Sequence, residues 1–190
     1  MTRIIAGFAG SQRLAVPSSG TRPTSDRVRE AIFSALESRD LIAGSAVLDL
    51  FAGSGALGLE AASRGAAEVT LVEKSSAAAR VAKGNAAVIL SAAAASKVTK
   101  PRIHVVPQAV SAFLGTTPSR FDVVFIDPPY DLGEPELADT LHRLVTHVVP
   151  GATVVVERTS RSPQPTLPPT LELDRRKDYG ETTLWWFTAR

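Results

Sequence analysis

The sequence predicts an α/β fold, a mostly parallel sheet covered on both faces by helices, with antiparallel strands added at the end. Three observations carry that prediction. From residue 46 onward, short apolar runs alternate with helical stretches, the pattern of strand–helix–strand units. Between the first of these strands and its helix lies "DLFAGSGALGLE", whose Gly53, Gly55 and Gly58 spell G-x-G-x-x-G in the context that gives the pattern meaning. At the end, "TLELDRRKDYG" and "ETTLWWFTAR" are two β-rich runs with no helix between them, a hairpin signal.

The elements follow in order. The first 23 residues read as extended, with "RIIAGFAG" and "RLAVP" separated by glycine, serine and proline. "RPTSDRVREAIFSALE" then reads as a helix: Thr24 or Ser25 can cap it, and Asp26 suits the positive end of its dipole. Its apolar residues Val28, Ala31, Ile32, Ala35 and Leu36 make one stripe. "AVLDLF" is a buried strand, followed by the glycine loop and a helix around "ALGLEAASRG". "AEVTLVEK" is a second strand, and an alanine-rich helix runs from about Ser75 to Ser96, where alanine serves helix propensity and close packing. "RIHVVPQ" and "FDVVFID" are further strands, and a helix from about Glu136 to Val148 precedes a fifth, "ATVVVER". The proline-rich "RSPQPTLPPT" leads to the hairpin, where Trp185 and Trp186 must point to opposite faces.

The chain has 190 residues, enough for one domain with a small appendage and a good core. It has no cysteine, which removes disulfides, thiolate catalysis and cysteine-based zinc sites. No apolar run approaches the roughly 18 residues of a membrane span, and the N-terminus lacks the long apolar core of a signal peptide, so a cytoplasmic protein is expected. The net charge of +2 is unevenly spread. Residues 1–39 hold six arginines against three acids, whereas residues 101–150 hold three arginines against six acids. Such an arginine-rich start is either a solvated surface or a segment aimed at phosphate, since arginine pairs with phosphate bidentately and releases counterions.

Two features carry chemistry. The first is the glycine loop with the acids beside it. Glu73, at the tip of the next strand, is placed to accept hydrogen bonds from ribose hydroxyls, which indicates a nucleoside-containing ligand. Asp49 lies four residues before Gly53 (53 − 49 = 4), where it would repel a pyrophosphate and welcome the ammonium of a methionine moiety. That favours S-adenosylmethionine (SAM) over a dinucleotide. Asp49 as a carboxylate that caps and holds the loop is compatible with the same ligand.

The second feature is "FDVVFIDPPYDL", in which an apolar run ends in Asp127, Pro128, Pro129 and Tyr130. Two prolines end a strand, because they cannot donate to a central ladder. A strand that merely stops and a loop at the carboxyl edge of a parallel sheet are both consistent with this. The glycine loop upstream in the same sheet favours the catalytic alternative. Asp127 and the Pro128 carbonyl are then candidate hydrogen-bond acceptors at a reacting group, with Tyr130 as a stacking surface beside them. Phe51, Gly53 and Gly55 would line the cofactor site, with Gln108 and Ala109 as weaker candidates beside the adenine. Of the three histidines, His104 lies within a strand, and His142 and His147 lie on a helix with no acidic or cysteine partner at ligand spacing, so no metal is expected.

Taken together, "GTRPTSDRVREAIFSAL", "DLFAGSGALGLEAASRGA", "VEK" and "FIDPPY" resemble the bacterial small-subunit rRNA guanine-N2 methyltransferases of the RsmD type. The resemblance runs from "RIIAG" to "DYGETTLWWF", almost the whole chain, and the segment "TRPTSDRVREAIF" is its most specific part. It implies a Rossmann-like SAM methyltransferase fold, a seven-stranded sheet with an antiparallel last strand. It also implies methylation of one guanine of 16S rRNA within assembled or assembling small subunits, with S-adenosylhomocysteine as product. On this basis residues 1–39 are an N-terminal arm and helix that meet RNA, with Arg3, Arg13 and Arg22 as contacts. Residues 40–190 are the methyltransferase domain, and a monomer is expected. Arg175, Arg176 and Lys177 in the hairpin extend the basic surface. An adenine-amine methyltransferase, a nicotinamide oxidoreductase and a SAM-binding assembly factor remain open at this point.

Overall fold

The glycine loop and the Asp127 loop emerge side by side because the strands that deliver them are neighbours in one sheet. The structure, a computed structural model, describes residues 2–17 and 25–190. A two-stranded ribbon, β1 (Thr2–Arg3) and β2 (Arg13–Leu14), precedes the sheet. The sheet comprises β3 (Ala46–Leu50), β4 (Glu68–Val72), β5 (Arg102–Val106), β6 (Phe121–Ile126), β7 (Val148–Thr159), β8 (Leu171–Tyr179) and β9 (Thr182–Ala189). Its order is β5-β4-β3-β6-β7-β9-β8. The first five are parallel, and β9 runs antiparallel to both neighbours. This is the expected seven-stranded sheet with an antiparallel last strand. Chain order reverses between β3 and β6, so the carboxyl edge there is a switch point, where open α/β sheets take their ligands.

Five helices cover the faces: α1 (Asp26–Glu37), α2 (Ala56–Ser63), α3 (Ser76–Ala95), α4 (Val110–Leu114) and α5 (Glu134–Leu144). Ser25 caps α1 by accepting the Val28 N–H at 3.2 Å, and Ser75 caps α3 by accepting that of Ala78 at 3.3 Å. Thr24, the other expected cap, lies outside the described residues. α5 starts two residues earlier than expected, because Pro135 fits a helical first turn, and it closes in a 3-10 turn at Val145–His147. α4 has only five residues, too few to show a period, and was not expected.

Strand alternation splits the interior into two cores. Phe125, Val155, Leu184 and Trp186 face α1, α2 and α3, with Ile4 and Leu14 in the same cluster. Val124, Val154, Trp185 and Phe187 face α4 and α5. Val28, Ile32 and Leu36 are buried as expected, joined by Phe33 and Arg29, whereas Ala31 and Ala35 are half-buried. The two tryptophans do point to opposite faces, and both are buried.

Packing is continuous across residue 39. Glu60 of α2, fully buried, accepts the N–H groups of Ile5 at 2.7 Å and Ala6 at 3.0 Å. Gly7 sits at φ 83°, and a Cβ there would fall 1.9 Å from the Ser63 carbonyl oxygen, so only glycine allows this approach. Asn85 of α3 accepts the Ala15 N–H at 2.9 Å and donates to the carbonyls of Ala15 and Ser54, each at 2.9 Å. Not every arginine of residues 1–39 is therefore at a surface aimed outward. Arg29 is fully buried, donating to the Arg3 carbonyl at 2.8 Å and to Asp26 at 2.7 Å, and Arg39 pairs with Asp174 at 2.9 Å. Among the described residues no helix is long and apolar enough to cross a membrane.

Candidate active site

The loop after β3 is held in a conformation that few residues adopt. Phe51, Gly53 and Gly55 have φ of 63°, 55° and 80°, so three of five consecutive residues are left-handed. That is uncommon for an aromatic residue, and such backbone strain concentrates at functional loops. Gly58 serves packing instead: a Cβ there would lie 2.3 Å from Leu71 Cδ2, so its absence lets α2 lie against β4.

Two carboxylates brace this loop from behind. Asp49 is 1% exposed, and its Oδ2 accepts the Gly58 N–H at 2.9 Å. Burial pushes its carboxyl up to about 7. The Gly58 hydrogen bond opposes that rise, and the charges of Asp127 and Glu73 add to it. Glu73 at the tip of β4 accepts the Gly53 N–H through Oε2 at 2.9 Å and the Ser75 N–H through Oε1 at 2.7 Å. Both oxygens are thus oriented, and each retains lone pairs for a further donor.

In front of the loop is a cavity of about 680 Å³ lined by Phe51, Glu73, Ala109, Asp127, Pro129 and Leu132, among others. Its charged lining comprises Glu73, Asp127, Asp131, Glu136 and Asp139 against one base, Lys74. A second cavity, of about 670 Å³, is lined by Ser25 and Val28 of α1, Tyr130, Glu157, Arg161 and Tyr179, among others. Pro129 lines the first and Tyr130 the second, so the Asp127–Tyr130 loop is the wall between them. Tyr130 is 72% exposed, an unusual state for a large aromatic side chain.

The expected residues divide accordingly. Phe51, Glu73, Ala109, Asp127 and Pro129 meet at the first cavity, and Tyr130 at the second. Asp49, Gly53 and Gly55 are buried in the loop and its support, and Pro128 is buried within the wall. Gln108 is exposed and outside the lining of either cavity. Arg3 and Arg13 are exposed, and Arg22 lies outside the described residues. In the hairpin, Arg175 stacks over Trp186 at 4.3 Å and Arg176 over Trp185 at 5.0 Å. His142 and His147 donate to the carbonyls of Ala138 and Leu114, both at 2.8 Å. Among the described residues no group of three or more histidine or acidic side chains is placed to hold a metal ion.

Sequence reasoning missed the supports. Arg158 Nη2 donates to the Leu132 carbonyl at 3.0 Å and to Glu134 at 2.6 Å, pinning the segment just after the wall. Asn85 could have been found: Ala78, Ala82, Ile89 and Ala93 define the buried stripe of α3, and Asn85 is the polar residue on it. Glu60 gave no such signal, because α2 is buried all round and has no polar face to depart from.

A Rossmann-like sheet with a reversed last strand, a glycine loop after its first strand and an Asp-Pro-Pro-Tyr loop after its fourth define a methyltransferase. Comparison with known proteins narrows this. The model of the family described as conserved hypothetical protein 95 matches residues 2–188, and the chain belongs to that family. It is 37% identical over 182 residues to ribosomal RNA small subunit methyltransferase D of Escherichia coli K12, covering 94% of this chain and 85% of that one. The enzyme of the same name from Haemophilus influenzae is 36% identical over 164 residues, covering 85% and 80%. Among solved structures, a putative methyltransferase, yhhF, of Escherichia coli superposes with a TM-score of 0.79 at 35% identity, covering 100% of this chain and 98% of that one.

Proposed function

We propose that the protein transfers a methyl group from SAM to the exocyclic N2 amine of a specific guanine in 16S rRNA, within the small ribosomal subunit or an assembly intermediate. The observation that carries this is the wall itself: Asp127 and Pro129 line an acidic cavity beside the glycine loop, and the next residue, Tyr130, lines another.

The lining fits SAM. Five acids against one lysine would repel a pyrophosphate and attract a ligand bearing a sulfonium and an ammonium, which disfavours a nicotinamide dinucleotide. Glu73, already oriented by two N–H groups, would hold the ribose hydroxyls. Phe51, Gly53 and Gly55 would lie along the nucleoside, Asp49 towards the methionine end, and Gln108 and Ala109 beside the adenine. When bound, SAM supplies an electrophilic methyl on a sulfonium, and S-adenosylhomocysteine remains. No metal has a part in this chemistry.

The chain's own task is alignment. The amine of guanine is a poor nucleophile because its lone pair is delocalised into the ring. The Asp127 carboxylate and the Pro128 carbonyl accept hydrogen bonds from its two hydrogens and favour a pyramidal nitrogen; once the nitrogen carries the methyl, its surplus proton passes to the Asp127 carboxylate and on to water. The fixed φ of Pro128 and Pro129 holds that carbonyl in place. Tyr130, exposed beside the second cavity, stacks on the extruded base. Arg3, Arg13 and Arg22 contact the RNA backbone, and the enzyme acts as a cytoplasmic monomer.

The test is incubation of labelled SAM with small subunits lacking the modification, followed by nucleoside mass spectrometry. N2-methylguanosine is expected, and Asp127→Ala should abolish it. Methyladenosine would favour an adenine-amine enzyme instead. SAM binding with no methylated nucleoside on any particle would favour an assembly factor.

A further inference from the structure

The second cavity carries an acid, Glu157, on the same lining as Tyr130. We propose that Glu157 selects guanine by accepting the ring N1–H adjacent to the amine being methylated. The proposal rests on the guanine-N2 assignment above and names the residue that enforces it.

Register places Glu157. In the parallel β6–β7 ladder Phe125 lies beside Val155 and Ile126 beside Val156. β6 ends there and leads straight into Asp127, while β7 continues to Glu157, so each acid follows the last paired residue of its strand. Alternation sends Glu157, two residues past Val155, towards the face shared with α1, whose Ser25 and Val28 line the same cavity. Tyr130 and Tyr179 supply aromatic surface there. The volume of about 670 Å³ lies within the range of small-molecule sites, roughly 300–1,000 Å³.

The chemistry of the base then decides between purines. On guanine the N2 amine and the N1–H are adjacent donors on one edge, so a base on Tyr130 whose amine reaches the Asp127–Tyr130 wall turns its N1–H to an acceptor in the second cavity, where Glu157 lies. Adenine presents an unprotonated N1 beside its amine, and a carboxylate facing it would put two acceptors together. Sites built to hydrogen-bond a substrate N–H reject an analogue lacking it far more strongly than apolar pockets reject a missing methylene. Glu157 therefore discriminates, while Asp127 and Pro128 serve the amine of either purine.

The test uses 2-aminopurine, which keeps the N2 amine but has an unprotonated N1. Particles are reconstituted with guanine or 2-aminopurine at the methylated position, and kcat/KM is measured for each. Wild-type enzyme should prefer guanine by about 100-fold or more. In Glu157→Gln the amide can donate to N1, so the preference should fall at least tenfold through a relative gain on 2-aminopurine. The ratio is taken on one preparation, so loss of folded protein cancels, and a merely structural role would lower both rates together. An unchanged ratio in the variant, or equal use of both bases by wild type, overturns the role of Glu157. Absence of methylation on guanine itself by wild type overturns the parent assignment, and this one with it.

Discussion

Asp49 Oδ2 accepts the N–H of Gly58 at 2.9 Å while its side chain is sealed from water, so one carboxylate joins the end of β3 to the first turn of α2. Its carboxyl is pushed by burial from 3.8 up to about 7. Between those values the folded chain holds a proton that the unfolded chain has released. The contribution of Asp49 to stability should therefore be fullest below about pH 4, fall as pH rises to about 7, and level off above it. Asp49→Asn keeps an acceptor for Gly58 and removes the slope. It should gain on wild type from pH 5 to pH 8, on the order of 3 kcal/mol in total, read by urea unfolding. A difference between the two proteins that is flat in pH would refute this.

Ligand binding should run the opposite way. A cation held near Asp49 favours the ionised carboxylate, so SAM affinity should rise up to tenfold per pH unit and flatten above about 7. Calorimetric titration from pH 5.5 to 8.5 would show it. In Asp49→Asn the affinity should be lower and nearly independent of pH over that range.

Arg158 is a positioning residue. It is nearly buried and holds both the Leu132 carbonyl and Glu134, so it limits how far the wall can shift. Arg158→Ala should lower kcat by roughly 10- to 100-fold through misplacement of the acceptors, with less effect on the dissociation constant of SAM. Arg158→Lys should restore part of kcat. Equal losses in binding and turnover would point to a general loss of structure.

Glu60 anchors residues 2–17. It holds two backbone N–H groups and Arg64 at 2.8 Å, with buried Arg29 3.9 Å away. Glu60→Ala leaves those donors and the Arg29 charge without this carboxylate inside the protein. A loss of about 3–5 kcal/mol is expected in chemical denaturation, together with faster trypsin cleavage after Arg13. Unchanged stability would show that the segment docks by apolar packing alone.

Arg3 and Arg13 are the exposed candidates for phosphate contact. Replacing both with alanine should weaken particle binding and flatten its salt dependence. The slope of log affinity against log salt should drop by about 0.7–0.9 for each phosphate that is no longer neutralised. Wild-type affinity and slope would remove them from the interface.

The sheet was legible because its strands are apolar and separated by glycine, proline and capped helices, signals that act over a few residues. Ser25 and Ser75 cap the helices they precede for the same local reason. The acids at strand tips were legible too, since a polar residue ending an apolar run is conspicuous. What stayed hidden depends on residues distant in sequence. Nothing near Glu60 announces that Ile5 and Ala6, more than fifty residues away, present N–H groups to it. Nor does Arg158 carry any local mark of its tie to Leu132. The arginine count of residues 1–39 is limited for a related reason: it does not separate Arg29, which is buried, from Arg13, which faces water.

Pro129 and Tyr130 look into different chambers although they are joined by one peptide bond. For a chemist seeking an inhibitor, that makes the molecule a pair of back-to-back rooms that share one wall. A compound anchored in both has only the Asp127–Tyr130 segment to reach past. The room in front of the glycine loop is built on a motif common to many nucleoside-binding folds. The other is furnished by α1 and the β8–β9 hairpin, so selectivity is to be sought on the Tyr130 side.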